Sequence, residues 1–389
     1  MFEHIKKATA VCRVFGDGQK VIAAAIELSD EIPAEKAAAS DFEVAGRTIK
    51  NVYVNKTRTL DQKKLTGTHL MIELDSDDPE AAVRCRIGKG RGARMGVKHP
   101  CLQIHYLPTG EATETGKVID EVADKFRLFR YHVLGSEQYL DYQFYIPEGM
   151  KEGEKYPLVL FMHDMGSCSD DPLAPLVQGN GATVWAEAEE QKQRPCFVLA
   201  PCYPNQCAND DYEVTWEAEA TVSLIEELCS CYEVDRNRIY GTGQSMGCMM
   251  LCELNLRHPE LFAGSFLVAG QWDPDRMGDA KDQNIWALVS EKDEKAFPIM
   301  GACMESIEKQ GTGVMCGSIH AKAALENQNA AFDNLAKEDA HVYFTWYEDD
   351  SVLPEGCEPF PGAYHVNTWV YAYSLESVRK WLFSCRKCK

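Results

Sequence analysis

The stretch Gly243-Gln244-Ser245-Met246-Gly247 constrains the fold more than any other part of the chain. A serine flanked by glycines at this spacing calls for a sharp turn joining a buried strand to a helix. The glycines have a steric job, because side chains there would meet neighbouring strands. At average Gly and Ser usage the pentapeptide occurs by chance in roughly one chain in ten of this length. Its flanks therefore carry the argument. Before it, Arg238-Ile239-Tyr240 is short and β-prone and follows a turn-like run from Glu233 to Asn237. After it, Met249, Met250, Leu251, Leu254 and Leu256 make an apolar helical pattern that ends near His258-Pro259. Strand, turn and helix are predicted in that order, with the Ser245 hydroxyl presented at the turn.

At 389 residues the chain is long enough for two domains. Hydrophobic residues make up 45% and charged residues 26%, the balance of a globular protein in water. The net charge of −20 argues against nucleic acid and anionic membrane surfaces as partners, since both need clustered Lys and Arg. The first residues lack an apolar export segment, so a cytoplasmic location is expected. No run of about 18 apolar residues predicts a membrane helix. The 16 cysteines then read as reduced thiols. Cys248 and Cys252, one helical turn apart, read as small core residues. Cys202 and Cys207 flank a proline-containing loop and would pair only in an oxidising compartment. The pair Cys385-x-x-Cys388 lacks a second pair of ligands, so no zinc site is expected.

The chain changes character along its length. Residues 1–110 contain short β-type runs at Val21–Leu28, Arg47–Val54 and His69–Leu74, separated by Gly, Asp and Pro. Such spacing predicts an all-β sandwich. The glycine-rich run Gly88 to Gly96 lacks the Lys-Ser/Thr and the helix of a phosphate loop, so a surface loop is expected. Residues 111–128 are polar and read as a linker with one helical turn near Val118 to Lys125. From 129 to 389, unalternating apolar runs at Tyr156–Met162, Cys196–Ala200, Arg238–Tyr240, Gly264–Ala269 and Ile285–Val289 predict buried parallel strands. Helical patterns at Val214–Tyr232, Ser245–Arg257, Ala296–Lys309 and Leu375–Phe383 lie between or after them. The fold class is α/β: a mostly parallel sheet with helices on both faces, preceded by the β-sandwich.

A serine hydroxyl needs a base to become a nucleophile. In a strand–turn–helix fold the acid and then the histidine follow the serine in sequence. Asp293 sits in the loop after the Ile285–Val289 strand; Glu291, Glu294, Asp273 and Asp275 are its rivals. His365, in Pro361-Gly-Ala-Tyr-His-Val-Asn-Thr-Trp369, precedes the last helix; His341 opens an apolar run and His320 lies in an Ala-rich, helix-prone stretch. A developing oxyanion would be met by the backbone N–H of Met246 and by one from the loop His163-Asp164-Met165-Gly166, with Met165 as donor. His163 precedes the serine and reads as a brace for that loop. Trp272 and Gln244 are candidates for a substrate pocket. Trp185 and Trp369 read as packing residues, as do Met249 and Met250.

These motifs, with Gln178-Gly-Asn-Gly-Ala-Thr-Val-Trp185, Phe197–Pro201 and Gly270–Pro274, resemble the α/β-hydrolase esterases of the polyhydroxybutyrate-depolymerase and feruloyl-esterase type. The N-terminal part is similar to the immunoglobulin-like domain that precedes the catalytic domain in some of them, thermophilic EstA-type enzymes included. The resemblance implies Ser245 as nucleophile, His365 as base, Asp293 as orienting acid and Met165 and Met246 as oxyanion donors. It implies a serine carboxylesterase acting on small or polymer-attached esters without metal or organic cofactor. The alternatives are a serine peptidase of the prolyl-oligopeptidase type and a catalytically silent hydrolase scaffold that binds a carbohydrate or partner. The family usually has His-Gly where this chain has His163-Asp164. Aspartate lacks glycine's backbone freedom, and its charge opposes a nearby oxyanion unless it points away or is paired.

Overall fold

The computed structural model describes residues 5–60, 66–88, 94–338 and 340–387. The N-terminal strands are β1 (Ile5–Phe15), β2 (Gly18–Ile32), β3 (Phe42–Val44), β4 (Ile49–Asn55), β5 (Gly67–Leu74), β6 (Arg84–Ile87), β7 (Arg94–Val97), β8 (Gln103–Tyr106), β9 (Glu111–Glu114) and β10 (Lys117–Asp120). They form a five-stranded sheet in the order β10-β1-β2-β5-β4, a three-stranded sheet β3-β8-β9 and the pair β6-β7. Side chains alternate across a strand, so β1 sends Ala8, Ala10 and Cys12 into the core between the two larger sheets. Val11 points the other way, into a separate cluster, and Val14 near the end of the strand packs into a core layer of the second sheet.

The expected linker 111–128 is corrected by β9 and β10. β10 joins the first sheet by parallel pairing with β1, Thr9 opposite Lys117. A single 3-10 turn at Ala123–Lys125 then leads into the next sheet. We propose that the domain change lies between Asp120 and Arg127. Of the glycine-rich run, residues 89–93 lie outside the described residues, and Arg94–Val97 is a strand.

The second sheet comprises β11 (Arg127–His132), β12 (Tyr139–Tyr145), β13 (Tyr156–Met162), β14 (Phe197–Cys202), β15 (Val234–Gln244), β16 (Gly264–Val268), β17 (Ile285–Ser290), β18 (Val314–Ile319) and β19 (Val342–Tyr347). Their order is β11-β12-β14-β13-β15-β16-β17-β19-β18. β12 runs antiparallel to both its neighbours, β11 and β14; the remaining pairings are parallel. β13, β14 and β17 are buried at every residue, which is why their sequences show no polar alternation. Leu158, Leu160 and Met162 of β13 enter one core layer; Val159 and Phe161 enter the other.

Helices cover both faces: α1 (Ala174–Val177), α2 (Ala188–Gln193), α3 (Trp216–Cys231), α4 (Met246–Arg257), α5 (Pro274–Met277), α6 (Ala296–Lys309), α7 (Leu325–Leu335), α8 (Ala363–Ala372) and α9 (Glu376–Ser384). α3, α4 and α6 share the core layer of Leu158 and Leu160, and α7, α8 and α9 that of Val159 and Phe161. Among the described residues, no helix is long and apolar enough to cross a membrane.

Two local expectations change. The run Glu233 to Asn237 is not a turn, since β15 already starts at Val234. His320 follows strand β18 rather than lying in a helix. Cys385 is buried, while Cys388 lies outside the described residues. Cys202 and Cys207 are separate thiols, the first donating to Pro172 O (3.4 Å) and the second to Asn205 O (3.2 Å).

Candidate active site

β15 ends at Gln244 and α4 begins at Met246, which leaves Ser245 alone to make the turn. Its φ is 51° and ψ −116°, a left-handed conformation costing about 1–3 kcal/mol for a residue with a side chain. The turn is held from three sides. Ser245 N–H donates to Val268 O of the neighbouring strand at 3.0 Å. A Cβ on Gly243 would lie 2.5 Å from Gly247 C, and one on Gly247 would overlap the Met162 carbonyl oxygen. Only glycine fits at either position, as the spacing predicts.

His365 lies near the start of α8, after Gly362 turns the chain at φ 86°. Its Nε2 is 2.7 Å from Ser245 Oγ and its Nδ1 is 2.6 Å from Asp293 Oδ2. A carboxylate only accepts, so Nδ1 carries the proton toward Asp293 and Nε2 accepts from the serine hydroxyl. Trp369, one helical turn on, sets its ring at 87° to the imidazole with centroids 5.4 Å apart.

Asp293 sits in the loop between β17 and α6 and is 5% exposed. Its Oδ1 accepts the N–H groups of Ala296 (2.9 Å) and Lys295 (3.1 Å), leaving Oδ2 for the histidine. Burial alone would raise this carboxyl. The His365 hydrogen bond and charge, with the two backbone donors, outweigh burial and hold it below the ordinary value. The rivals are engaged elsewhere. Asp273 caps α5 through Asp275 N–H, Glu291 accepts from Asp349 N–H (3.0 Å), and His341 Nε2 donates to Lys281 O (2.8 Å).

The loop after β13 makes one 3-10 turn, Met165–Ser167. His163 beneath it accepts Tyr203 N–H at Nε2 (3.0 Å) and donates from Nδ1 to Asp164 O (2.8 Å). Both ring nitrogens are used by a neutral imidazole, and burial lowers its proton affinity further. Asp164 has an ordinary extended backbone, φ −74° and ψ 165°, so it needs no glycine conformation. Its Oδ2 accepts from Ser167 Oγ (2.8 Å) and Gln244 Nε2 (3.0 Å), so the carboxyl group is hydrogen-bonded on the side of the core. Met165 and Met246 each open a helical turn, where a backbone N–H has no intrahelical acceptor.

A cavity of about 660 Å³ opens beside Ser245 and His365. Met165, Met249, Gln271, Phe360 and Tyr364 form much of its wall, and Phe360 is 57% exposed at the rim. Lys295 and Asp210, both in the wall, form an ion pair with each other. Trp272 and Gln244, expected to line a pocket, do not border it. Both are fully buried: Trp272 donates to Glu253 Oε2 at 2.8 Å, and Gln244 is in the Asp164 network. The sequence reading missed Phe360, Gln271 and the Lys295–Asp210 pair. Phe360, Gln271 and Lys295 are signalled only by chain proximity to His365, Trp272 and Asp293, and Asp210 by nothing local. Among the described residues no group of three His, Cys, Asp or Glu side chains is placed to hold a metal ion.

The β-domain touches this region directly. The β1–β2 turn packs Gly16 against the Val370 carbonyl of α8, and Arg84 donates to Gln178 O at 3.2 Å.

Comparison with known proteins follows the same two parts. Residues 7–93 match a family profile described as the esterase Ig-like N-terminal domain. The crystal structure of a thermostable esterase superposes with a TM-score of 0.79 at 24% identity, covering 98% of this chain and 100% of that one. NocK of Nocardia uniformis subsp. tsuyamanensis, whose name describes an esterase, is 26% identical over 170 residues. That match spans 43% of this chain and 44% of NocK, less than half its length. A feruloyl esterase module from Clostridium thermocellum aligns over 67% of this chain and 88% of its own at 13% identity and a TM-score of 0.41. The chain has the architecture of an esterase-type immunoglobulin-like domain followed by an α/β-hydrolase fold.

Proposed function

We propose that the protein is a serine hydrolase of carboxylic esters. The observation that carries this reading is the hydrogen-bonded chain Ser245–His365–Asp293, at 2.7 and 2.6 Å, on a serine with positive φ beside an open cavity. Ser245 Oγ attacks the ester carbonyl as His365 Nε2 takes its proton. Asp293 keeps the imidazole in the required tautomer and stabilises the imidazolium. The N–H groups of Met246 and Met165 receive the oxyanion. His365 then protonates the departing alcohol, and water releases the acid by the same route. Every group needed for acyl transfer is a protein side chain or backbone N–H.

The mixed wall of methionine, phenylalanine and glutamine fits an ester with an apolar acyl or aryl group. Purified protein should hydrolyse p-nitrophenyl acetate and label with a fluorophosphonate. Ser245→Ala should abolish both while retaining the wild-type circular dichroism spectrum. Undiminished hydrolysis by the folded variant would overturn the assignment.

A further inference from the structure

Asp164 stands where the related esterases usually have glycine, next to the place where negative charge develops. Its surroundings give it a task. It precedes the turn Met165–Ser167, yet it makes no side-chain hydrogen bond to the backbone of that turn. Its carboxylate turns inward instead. Oδ2 accepts from Ser167 Oγ at the far end of the same turn (2.8 Å) and from Gln244 Nε2, 80 residues along the chain (3.0 Å). The second proton of Gln244 Nε2 goes to Gln178 Oε1 at 2.7 Å. Gln244 is 0% exposed, Gln178 1% and Asp164 8%, so water does not compete for these bonds.

The covalent neighbours matter most. Gln244 is bonded to Ser245, and Asp164 to Met165. The N–H of Met165 belongs to the peptide joining Asp164 to Met165, and that of Met246 to the peptide joining Ser245 to Met246. One hydrogen bond between the side chains of Asp164 and Gln244 therefore ties together the two backbone segments that carry the oxyanion donors. A Cβ on Gly166 would be 2.9 Å from Asp164 Oδ1, so the turn passes close to the same carboxylate.

We propose that Asp164 and Gln244 are positioning residues that clamp the Met165 loop to the nucleophile turn and so hold the two oxyanion donors at a fixed separation. The inference rests on the esterase reading above. It assigns the carboxylate a geometric role, since an accepting oxygen is what the clamp requires and a negative charge is not.

The test compares Asp164→Ala, Asp164→Asn and Gln244→Met with wild type, using p-nitrophenyl butyrate and an alkyl boronic acid as transition-state mimic. Misplacing an oxyanion donor costs on the order of 100-fold. Asp164→Ala should lose about that factor in kcat with KM within about threefold, and boronate affinity should fall in parallel. Asp164→Asn offers an acceptor to the same two donors and should recover to within about tenfold of wild type. Adding Gln244→Met to Asp164→Ala should cost little more, because one clamp is broken twice. The clamp is overturned if Asp164→Ala keeps wild-type kcat, if its loss lies in KM, or if asparagine does no better than alanine. Should Asp164→Ala not fold, Gln244→Met decides: unchanged kcat overturns the clamp, and reduced kcat at constant KM supports it. A wild-type protein inert to esters and to fluorophosphonate defeats the esterase reading itself. An active one unaffected by these substitutions defeats only the clamp.

Discussion

Trp272 donates its indole N–H to Glu253 Oε2 at 2.8 Å, and Arg276 and Arg257 bind the same carboxylate at 2.8 and 2.6 Å. Glu253 is 2% exposed. Burial alone would raise its pKa; Arg276, Arg257 and Trp272 together bring it below the ordinary value. Trp272 is thus part of the support of α4, which carries the nucleophile turn at its N-terminus. Trp272→Phe should cost about 1–3 kcal/mol by removing one donor from a buried acceptor. Since Trp272 does not border the cavity, kcat and KM for a short ester should stay within about twofold of wild type. Thermal melts and steady-state kinetics on the same preparation check both.

Asp293→Asn should lower kcat by about 10⁴, because a carboxamide can donate to His365 Nδ1 and stabilise the tautomer that cannot accept from Ser245. The fold should persist, since the carboxamide oxygen still accepts from Ala296 and Lys295. The wild-type carboxyl sits below its unfolded value of about 3.9. Its stabilising contribution is therefore present above pH 4 and is lost as pH falls through the lower, folded value. The variant should lack that part of the acid dependence, read as urea midpoints between pH 5 and 2.5.

The elements legible in the sequence are those whose cause is local. The glycines around Ser245 announce a turn because each meets backbone within a few residues or on the adjoining strand. The runs at Tyr156 and Ile285 announce central strands because both faces are covered. Asp293 follows from loop position after such a strand; His365, expected in a loop before the last helix, lies in the first turn of α8 and joins Asp293 to Ser245. What escaped depends on distant partners. Lys117–Asp120 is only four residues long with a charge at each end, and becomes a strand by pairing with Thr9–Cys12 across the domain. β18 is an edge strand with no fully buried residue, and Val314–Ile319 breaks its apolar run with Gly317 and Ser318. Trp272 reads equally as pocket or core until Glu253 is placed beneath it. Asp164 looks ill-suited to its position until Gln244 supplies the donor.

His163 gives the acid sensitivity a specific origin. Buried, it stays neutral, with its pKa below the unfolded value of about 6.5. The unfolded chain takes up this proton first as pH falls. Stability from this site is complete above pH 6.5 and declines below it, by up to about 1.4 kcal/mol per pH unit. His163→Gln keeps an acceptor near Tyr203 N–H and cannot be protonated. It should be less stable than wild type at pH 8 and show a shallower fall between pH 6.5 and 5, measured as melting temperatures across that range.

Lys295 and Asp210 form a salt bridge in the cavity wall, with side chains that are 48% and 67% exposed. An exposed pair contributes about 0–1 kcal/mol and weakens with salt. Asp210→Asn should leave stability within about 1 kcal/mol of wild type. It should raise kcat/KM for a hexanoyl ester relative to an acetyl ester by several-fold. Added sodium chloride at 0.5 M should shift the wild-type ratio the same way and leave the variant unchanged. A ratio indifferent to both would exclude the bridge as a limit on acyl size.

Gly16 links the β-domain to the histidine. Its Cα lies against the Val370 carbonyl, five residues after His365 on α8, and its own carbonyl lies 2.9 Å from where a Cβ on Gly179 would stand. Any side chain at 16 must push the β1–β2 turn off the helix or move the helix itself. A movement of about 1 Å at His365 is worth about 100-fold in rate. Gly16→Ala should therefore lower kcat, while Asp17→Ala, which removes a half-buried ion pair with Lys20 and a charge near Tyr371 but adds no side chain against α8, should not. Amide exchange gives the mechanism: faster exchange confined to residues 363–372 and 14–19 accompanies lost contact. If Gly16→Ala exchanges faster there and yet retains wild-type kcat, the β-domain does not set the position of His365 through this contact.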